Sequence, residues 1–242
     1  MHIRILLIAI IVLLTIPCGV RGFSIPERLE YALSWGGITV GYATLEAQET
    51  SGLMLLSSTA RSTQFISTFY QVEDHVQARL QRSAGTSFGK PESYRIRVRE
   101  GTHRRDKETT FDTAGKKILY ADYLKPESVT FEYTPGVFDP LSSLYYVRTL
   151  DLSVGKSIYV QMFDSKKLYR MEIKVIKKER VQTPAGIFDT VLIQPVMLSE
   201  GIFGRKGDLL LWLTDDDKHI PVQMKSRVKI GSVTGQLTGG QY

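Results

Sequence analysis

Apolar and polar residues alternate along most of this chain, and alternation with a period of two is the mark of strands with one buried face. Leu29, Tyr31, Leu33 and Trp35 fall on one face, followed by Gly36-Gly37, a pair suited to a tight hairpin turn. Ile38 onward reads as the return strand and Leu53 to Ala60 as the next. Further strands are predicted over Val72–Gln81, Glu92–Glu100, His103–Phe111, Lys117–Asp122, Ser128–Tyr133, Lys156–Phe163, Lys167–Arg180, Phe188–Met197, Asp208–Thr214, Ile220–Lys229 and Ser232–Leu237. Thr63–Tyr70 departs from the pattern. Phe65, Ile66, Phe69 and Tyr70 are spaced for one face of a short helix or an aromatic loop. One helix is clear: Asp139 is an N-cap, Pro140 suits the first helical position, and Leu141, Leu144, Tyr145 and Arg148 follow at helical spacing. The predicted fold is all-β: an antiparallel, curled sheet or an open or closed β-barrel with one or two short helices.

The first 22 residues do not belong to that pattern. His2 and Arg4 precede an apolar run from Ile5 to Ile16, which Pro17 and Gly19 end. This is the layout of a secretory signal peptide, and the run is shorter than the roughly 20 residues a membrane-spanning helix needs. The expected division is a signal peptide over 1–22 and a single β-rich domain over 23–242, exported to the periplasm. Cys18 is the only cysteine. It matches a lipid-attachment site weakly, because Pro17 stands where a small residue is expected. Its removal with the leader leaves no thiol for a disulfide, a redox pair or a Cys-based zinc site.

The formal net charge is +6, and two of those charges, Arg4 and Arg21, lie in the leader. The remaining basic excess is too small to argue for nucleic acid. The candidate chemistry is sparse. Gly85-Thr86-Ser87-Phe88-Gly89 has the letters of a nucleophile elbow, but a strand rather than a helix follows it, which is the wrong context. His75, His103 and His219 are dispersed, and Asp215-Asp216-Asp217 lacks the spacing of a calcium loop. No catalytic residue, metal or cofactor is expected. Trp35 and Trp212 are expected in the core.

The one distinctive feature is basic. In Ser93-Tyr94-Arg95-Ile96-Arg97-Val98-Arg99, alternation puts Arg95, Arg97 and Arg99 on one strand face, and Arg104 and Arg105 follow the next turn. Guanidinium forks suit phosphates and carboxylates, so these five are anion-binding candidates. The plain alternative is a solvated sheet face partly neutralised by nearby acids. Phe65, Ile66, Phe69 and Tyr70 are candidates for an apolar lip.

Several segments together resemble the domain-of-unknown-function family 3108 of exported bacterial proteins. They are Leu29-Glu30-Tyr31 through Trp35 with Gly36-Gly37-Ile38 and Val40-Gly41; Phe138-Asp139-Pro140-Leu141-Ser142-Ser143-Leu144-Tyr145 to Arg148; Thr183-Pro184-Ala185-Gly186-Ile187-Phe188; Trp212-Leu213-Thr214-Asp215-Asp216; and Ile220-Pro221-Val222. The resemblance implies a β-rich envelope protein and assigns no activity and no site residues. The expected function is non-enzymatic binding of a lipid, glycolipid or anionic envelope polymer, with protein partners unspecified. Two alternatives stay open: an integral outer-membrane barrel and an enzyme acting on envelope glycans.

Overall fold

The computed structural model describes residues 22–82, 88–197, 209–228 and 231–242. The leader through Arg21, with Cys18, and Ser87 of the elbow-like motif lie outside the described residues. The chain runs β1 (Glu27–Trp35), β2 (Ile38–Thr50), β3 (Leu53–Ser62), α1 (Gln64–Ser67), β4 (Glu73–Gln81), β5 (Lys90–Glu100), β6 (His103–Asp112), β7 (Lys117–Asp122), β8 (Glu127–Glu132) and β9 (Val137–Phe138). It continues through α2 (Pro140–Val147), β10 (Ser157–Asp164), β11 (Lys167–Thr183), β12 (Gly186–Met197), β13 (Leu209–Thr214), β14 (Pro221–Arg227) and β15 (Ser232–Gln241).

All fifteen strands join one sheet, in the order β8 back to β1, then β15 back to β9. The first and last long strands, β1 and β15, thus pair in the middle, and each half is a meander of antiparallel neighbours. The exception is short β9, which pairs parallel with β10. The sheet curls but does not close, because β8 and β9 are not hydrogen-bonded to each other. Its two ends meet through side chains instead: the Phe131 and Phe163 rings lie 5.2 Å apart, and Lys166 Nζ stands 2.8 Å from a Glu127 carboxylate oxygen.

Antiparallel order gives the sheet two ends. The turns β2–β3, β6–β7, β11–β12 and β13–β14 mark the lower one. The turns β1–β2, β3–β4, β5–β6, β7–β8 and β10–β11 mark the upper one. Gly36 and Gly37 take φ of 56° and 84°, the left-handed pair that a two-residue hairpin with the sheet's twist requires.

The hydrophobic core fills the lower half. Leu29, Tyr31, Leu56, Leu80, Ile173, Ile193 and Leu213 point inward and are at most 1% exposed. Helix α2 packs inside the curl against β3, β4 and β10. Asp139 starts it as anticipated, accepting from the Ser142 backbone N–H at 2.9 Å with Pro140 at the first position. The Arg148 guanidinium ends it, fully buried, and donates to both Glu27 carboxylate oxygens at 2.7 and 2.6 Å. The same guanidinium lies 5.0 Å from the Phe23 and Tyr145 ring centres. The Arg148 carbonyl is held 2.8 Å from His219 Nδ1 in the β13–β14 turn. One contact network therefore ties the chain before β1, the C-terminus of α2 and that turn.

Three details differ from the sequence pattern. Trp35, expected in the core, is 46% exposed. The bulge beside it inserts Val40 into β2, so β1 stays regular, and Trp35 is exposed because it falls at the strand's upper end. Trp212 is buried as expected, but on the opposite face from Leu211 and Leu213. The long β11–β12 hairpin folds across the outside there: Trp212 Nε1 donates to Glu179 at 2.8 Å, and the Ala185 N–H to the Leu237 carbonyl at 3.0 Å. Val137–Phe138, two residues long, is too short for alternation to reveal.

The outward face carries Glu73, His75, Gln77, Arg79 and Gln81 on β4 and Arg95, Arg97 and Arg99 on β5. A membrane-spanning barrel needs an apolar outer band and no unpaired edge. On β4 and β5 the outward face is polar and charged, and among the described residues β8 and β9 keep unpaired edges.

Removing one partner of a fully buried ion pair leaves an uncompensated charge. Arg148→Ala or Glu27→Ala is therefore expected to lower stability by roughly 3–5 kcal/mol in denaturant unfolding. The double change Glu27→Leu with Arg148→Met should recover most of that loss.

Candidate functional site

The inward face changes character from the lower end to the upper. On β3, Met54 and Leu56 are buried but Ser58 and Ala60 are half-buried. On β4 the sequence is Leu80 and Ala78, then Val76 and Asp74; on β5 it is Tyr94, then Ile96 and Val98. On β6 it is Phe111 and Thr109, then Lys107 and Arg105. On β14, Val222 is buried and Met224 and Ser226 are half-buried. Small residues concentrate in the upper half, where Ala43 pairs with Ala60 and Leu45 with Ser58. Helix α2 starts beside Met162 of β10 and runs down to Glu27 at the lower end. The upper rim, walled by small and apolar side chains, forms the mouth of the curl.

One side of the mouth is basic. At the seam between the sheet's two ends lies a cleft of about 420 Å³, lined by His103, Arg104, Arg105 and Lys107 of β6, Asp122, Leu124 and Lys125 after β7, and Ser165, Lys166 and Tyr169 of the β10–β11 hairpin. Its cations outnumber its acids. Lys107 Nζ reaches Asp122 only at 3.9 Å, and Lys166 pairs with Glu127. Arg105 Nε donates to His103 Nε2 at 2.8 Å. Among the described residues neither Arg105 nor Lys125 has an ion-pair partner. The Lys107 and Lys166 ammoniums lie 5.7 and 5.6 Å from the Tyr120 ring centre. Among the described residues the buried Tyr120 hydroxyl makes no hydrogen bond. The two ammoniums face its ring, and with Arg105 and Lys125 they leave the cleft electropositive, a setting that suits an anionic group.

Lys166 also departs from backbone preference. Ser165 and Lys166 turn the β10–β11 hairpin with φ of 47° and 69°. Glycine or asparagine is the easy choice there, and a lysine in that conformation carries a local cost.

The five arginine candidates separate. Cross-strand pairs share a face, so Arg95, Arg97, Arg99 and Arg104 lie outside the curl, while Arg105, opposite Val98, lies inside. Arg95 is spoken for: its Nη2 is 3.0 Å from Asp106 Oδ1, and its guanidinium sits 4.4 Å over the Tyr123 ring centre. Arg99 reaches Glu73 at 3.6 Å, and Arg97 makes no ion pair among the described residues. Arg104 donates to the Gly101 and His103 carbonyls and joins the cleft's rim. Lys107, Lys125 and Lys166 were missed. They come from three separated turns and strands, and only the curling of the sheet, which sets its two ends side by side, brings them together. The alternation of β6 alone could have put Lys107 on the face of Arg105.

The four lip candidates form the β3–β4 crossing at the upper end. Phe65 and Phe69 are 73% and 79% exposed, with their rings edge to face at 5.7 Å. Ile66 is half-buried in α1, and Tyr70 lies against Gly101 of the β5–β6 turn.

Three acids resist ionisation. Asp139 is pushed up to about 6 by burial, against the pull of its Ser142 hydrogen bonds. Asp74 is raised to about 6 by burial, with Glu100 beside it adding to the effect and the Arg99 N–H opposing it. Asp164 is also raised by burial, while Ser165, Arg105 and Lys107 draw it back. The acidic run at 215–217 is part of the lower turn: Asp216 Oδ1 accepts from Thr214 Oγ1 and from the Lys218 and His219 N–H groups. Among the described residues no three His, Cys, Asp or Glu side chains gather as metal ligands.

The model of the family described as "Protein of unknown function (DUF3108)" matches residues 30–238, the whole curled sheet except its outermost residues. The chain belongs to this family. Among solved structures, a β-barrel-like protein of domain of unknown function DUF1849 from Brucella abortus aligns with a TM-score of 0.57 at 11% identity, over 89% of this chain and 97% of that one. The likeness shows a shared fold. A candidate lipoprotein from Parabacteroides distasonis ATCC 8503 aligns at 10% identity with a TM-score of 0.36, over 91% of this chain and 97% of the other. A candidate exported protein with a YmcC-like fold from Bacteroides fragilis NCTC 9343 aligns at 11% identity with a TM-score of 0.34, over 91% and 98%. Both are too distant to carry an argument. No curated protein matches the sequence significantly.

The raised Asp139 fixes the sign of a pH effect. Folded Asp139 keeps its proton up to about 6, whereas the unfolded chain loses it near 3.8. Its stabilising contribution is full below the lower value and is lost as pH rises through the upper one. Asp139→Asn keeps a capping oxygen and cannot ionise. The stability difference between variant and parent should move in the variant's favour by roughly 1–3 kcal/mol from pH 4 to pH 7. A pH-independent difference would contradict the assignment.

Proposed function

We propose that this protein is an exported, non-enzymatic envelope protein that binds an anionic lipid or glycolipid at the upper end of the curled sheet. The observation that carries the reading is the juxtaposition of an apolar, small-residue mouth with a basic cleft at its seam. A mouth of this kind accepts part of an acyl chain between Ile96, Val98 and Met224, while Arg105, Lys107, Lys125 and Lys166 hold the phosphate or carboxylate head. Helix α2 limits how deep a chain can enter. The leader pattern at the N-terminus supports export, and the periplasm is the compartment proposed.

Calorimetric titration with lysophosphatidylglycerol below its micelle concentration tests this. Arg105→Ala with Lys107→Ala is expected to weaken binding by about tenfold or more, since each charged hydrogen bond contributes roughly 1.5–3 kcal/mol. Arg97→Ala with Arg99→Ala, on the outer face, should bind within about twofold of the parent, as solvent-screened charges do. Absence of binding, or equal loss from both pairs, would overturn the proposal.

A second reading draws on Asp74 and Glu100, adjacent acids in the mouth, one with its pKa raised to about 6. A glycan-cleaving enzyme uses a proton-donating acid beside a carboxylate. Turnover of envelope glycans that disappears in Asp74→Asn would favour it over the lipid-binding reading.

A further inference from the structure

The large apolar side chains left exposed are not spread evenly. Trp35 and Ile38 flank the β1–β2 turn at 46% and 67% exposure, and Phe65 and Phe69 tip the β3–β4 crossing at 73% and 79%. Tyr123 and Leu124, at 55% and 56%, stand on the β7–β8 turn. All three turns lie at the upper end, on widely separated strands of the curl. Exposure this high at one end invites a partner that meets all three at once.

The surrounding charge selects the partner. Arg61, Arg97, Arg99 and Arg104 stand behind these tips on the outer face. Glu73 is shared between Arg61 at 3.8 Å and Arg99 at 3.6 Å, so one carboxylate serves two guanidiniums. At the opposite end Asp215 is paired with Lys178 at 2.7 Å, and Asp216 is taken up by Thr214 Oγ1 and the Lys218 and His219 N–H groups. What singles out the upper end is the set of guanidiniums standing behind the aromatic tips. Aromatic tips with basic residues behind them match the interface of an anionic bilayer, where rings enter the headgroup layer and guanidiniums meet phosphates. A flat negative surface is also the partner that three separated turns can touch together.

We infer that the protein docks, open end down, on an anionic membrane surface, with Phe65 and Phe69 as the principal inserted side chains. This goes beyond ligand binding in the mouth. It puts the mouth against the bilayer, so that a lipid can pass between membrane and cleft without crossing water.

Flotation of the protein with vesicles of phosphatidylethanolamine and phosphatidylglycerol tests the inference. The parent should float with these vesicles and not with phosphatidylcholine vesicles, and salt should release it. Phe65→Ser with Phe69→Ser should reduce partitioning by roughly tenfold, following the loss of inserted apolar area. Ile187→Ser, an equally exposed apolar residue at the lower end, should float as the parent does. Titration with lysophosphatidylglycerol separates the two readings, because the Phe65/Phe69 variant should keep its affinity for the soluble lipid. No flotation of the parent, or equal flotation of the Phe65/Phe69 variant, overturns the docking surface, whatever the soluble-lipid titration shows. Flotation lost equally in Ile187→Ser overturns the assigned orientation.

Discussion

Arg148 and Glu27 meet where nothing else could satisfy either of them. Both side chains are out of contact with solvent, and they share two short charged hydrogen bonds. The pair couples residues 121 positions apart, the first residue of the first strand and the cap of the one long helix. A curled sheet has no intrinsic reason to hold a helix at one end rather than the other. The bidentate geometry supplies that reason, and the Phe23 and Tyr145 rings and the His219 turn surround it. Because charges inside an apolar core stabilise little against hydrophobic substitutes, we read the pair mainly as a device of position. It anchors the C-terminal end of the plug at the lower end of the curl.

The incomplete closure of the sheet shapes the other end. Had β8 hydrogen-bonded to β9 or β10, the seam would be a continuous wall. Instead, an aromatic contact and one ion pair join the two ends. The gap above them gathers cations from β6, the β7–β8 turn and the β10–β11 turn. An open seam keeps them directed at one cleft, next to the apolar mouth, and that adjacency is what an amphiphile recognises.

Much of this was legible in the chain itself. Alternation reports which face each residue takes, so the strands, the Gly36-Gly37 hairpin and the Asp139-Pro140 helix start could be read locally. Even the split of Arg95, Arg97 and Arg99 from Tyr94, Ile96 and Val98 follows from it. Alternation does not report which strands meet across a seam, and so the cluster of Arg105, Lys107, Lys125 and Lys166 was invisible. Nor does it report how far along a strand the core extends, and Trp35, on an apolar face but at the strand's upper end, is exposed for that reason. One local clue to the buried pair was present: Arg148 continues the apolar stripe of Leu141, Leu144 and Tyr145, and a charge on such a stripe calls for a buried partner. Its partner Glu27, at the edge of a strand, carried no comparable sign.

The central claim is that the open end holds an anionic amphiphile. It is tested most directly by native mass spectrometry of the protein isolated from the cell envelope without detergent, with lipid analysis of the same sample. The account predicts a one-to-one adduct that extracts as a lipid or glycolipid with a negatively charged head and that dissociates at high salt or on acyl-chain competition. A clean mass of the polypeptide alone, with no lipid in the extract, would contradict it.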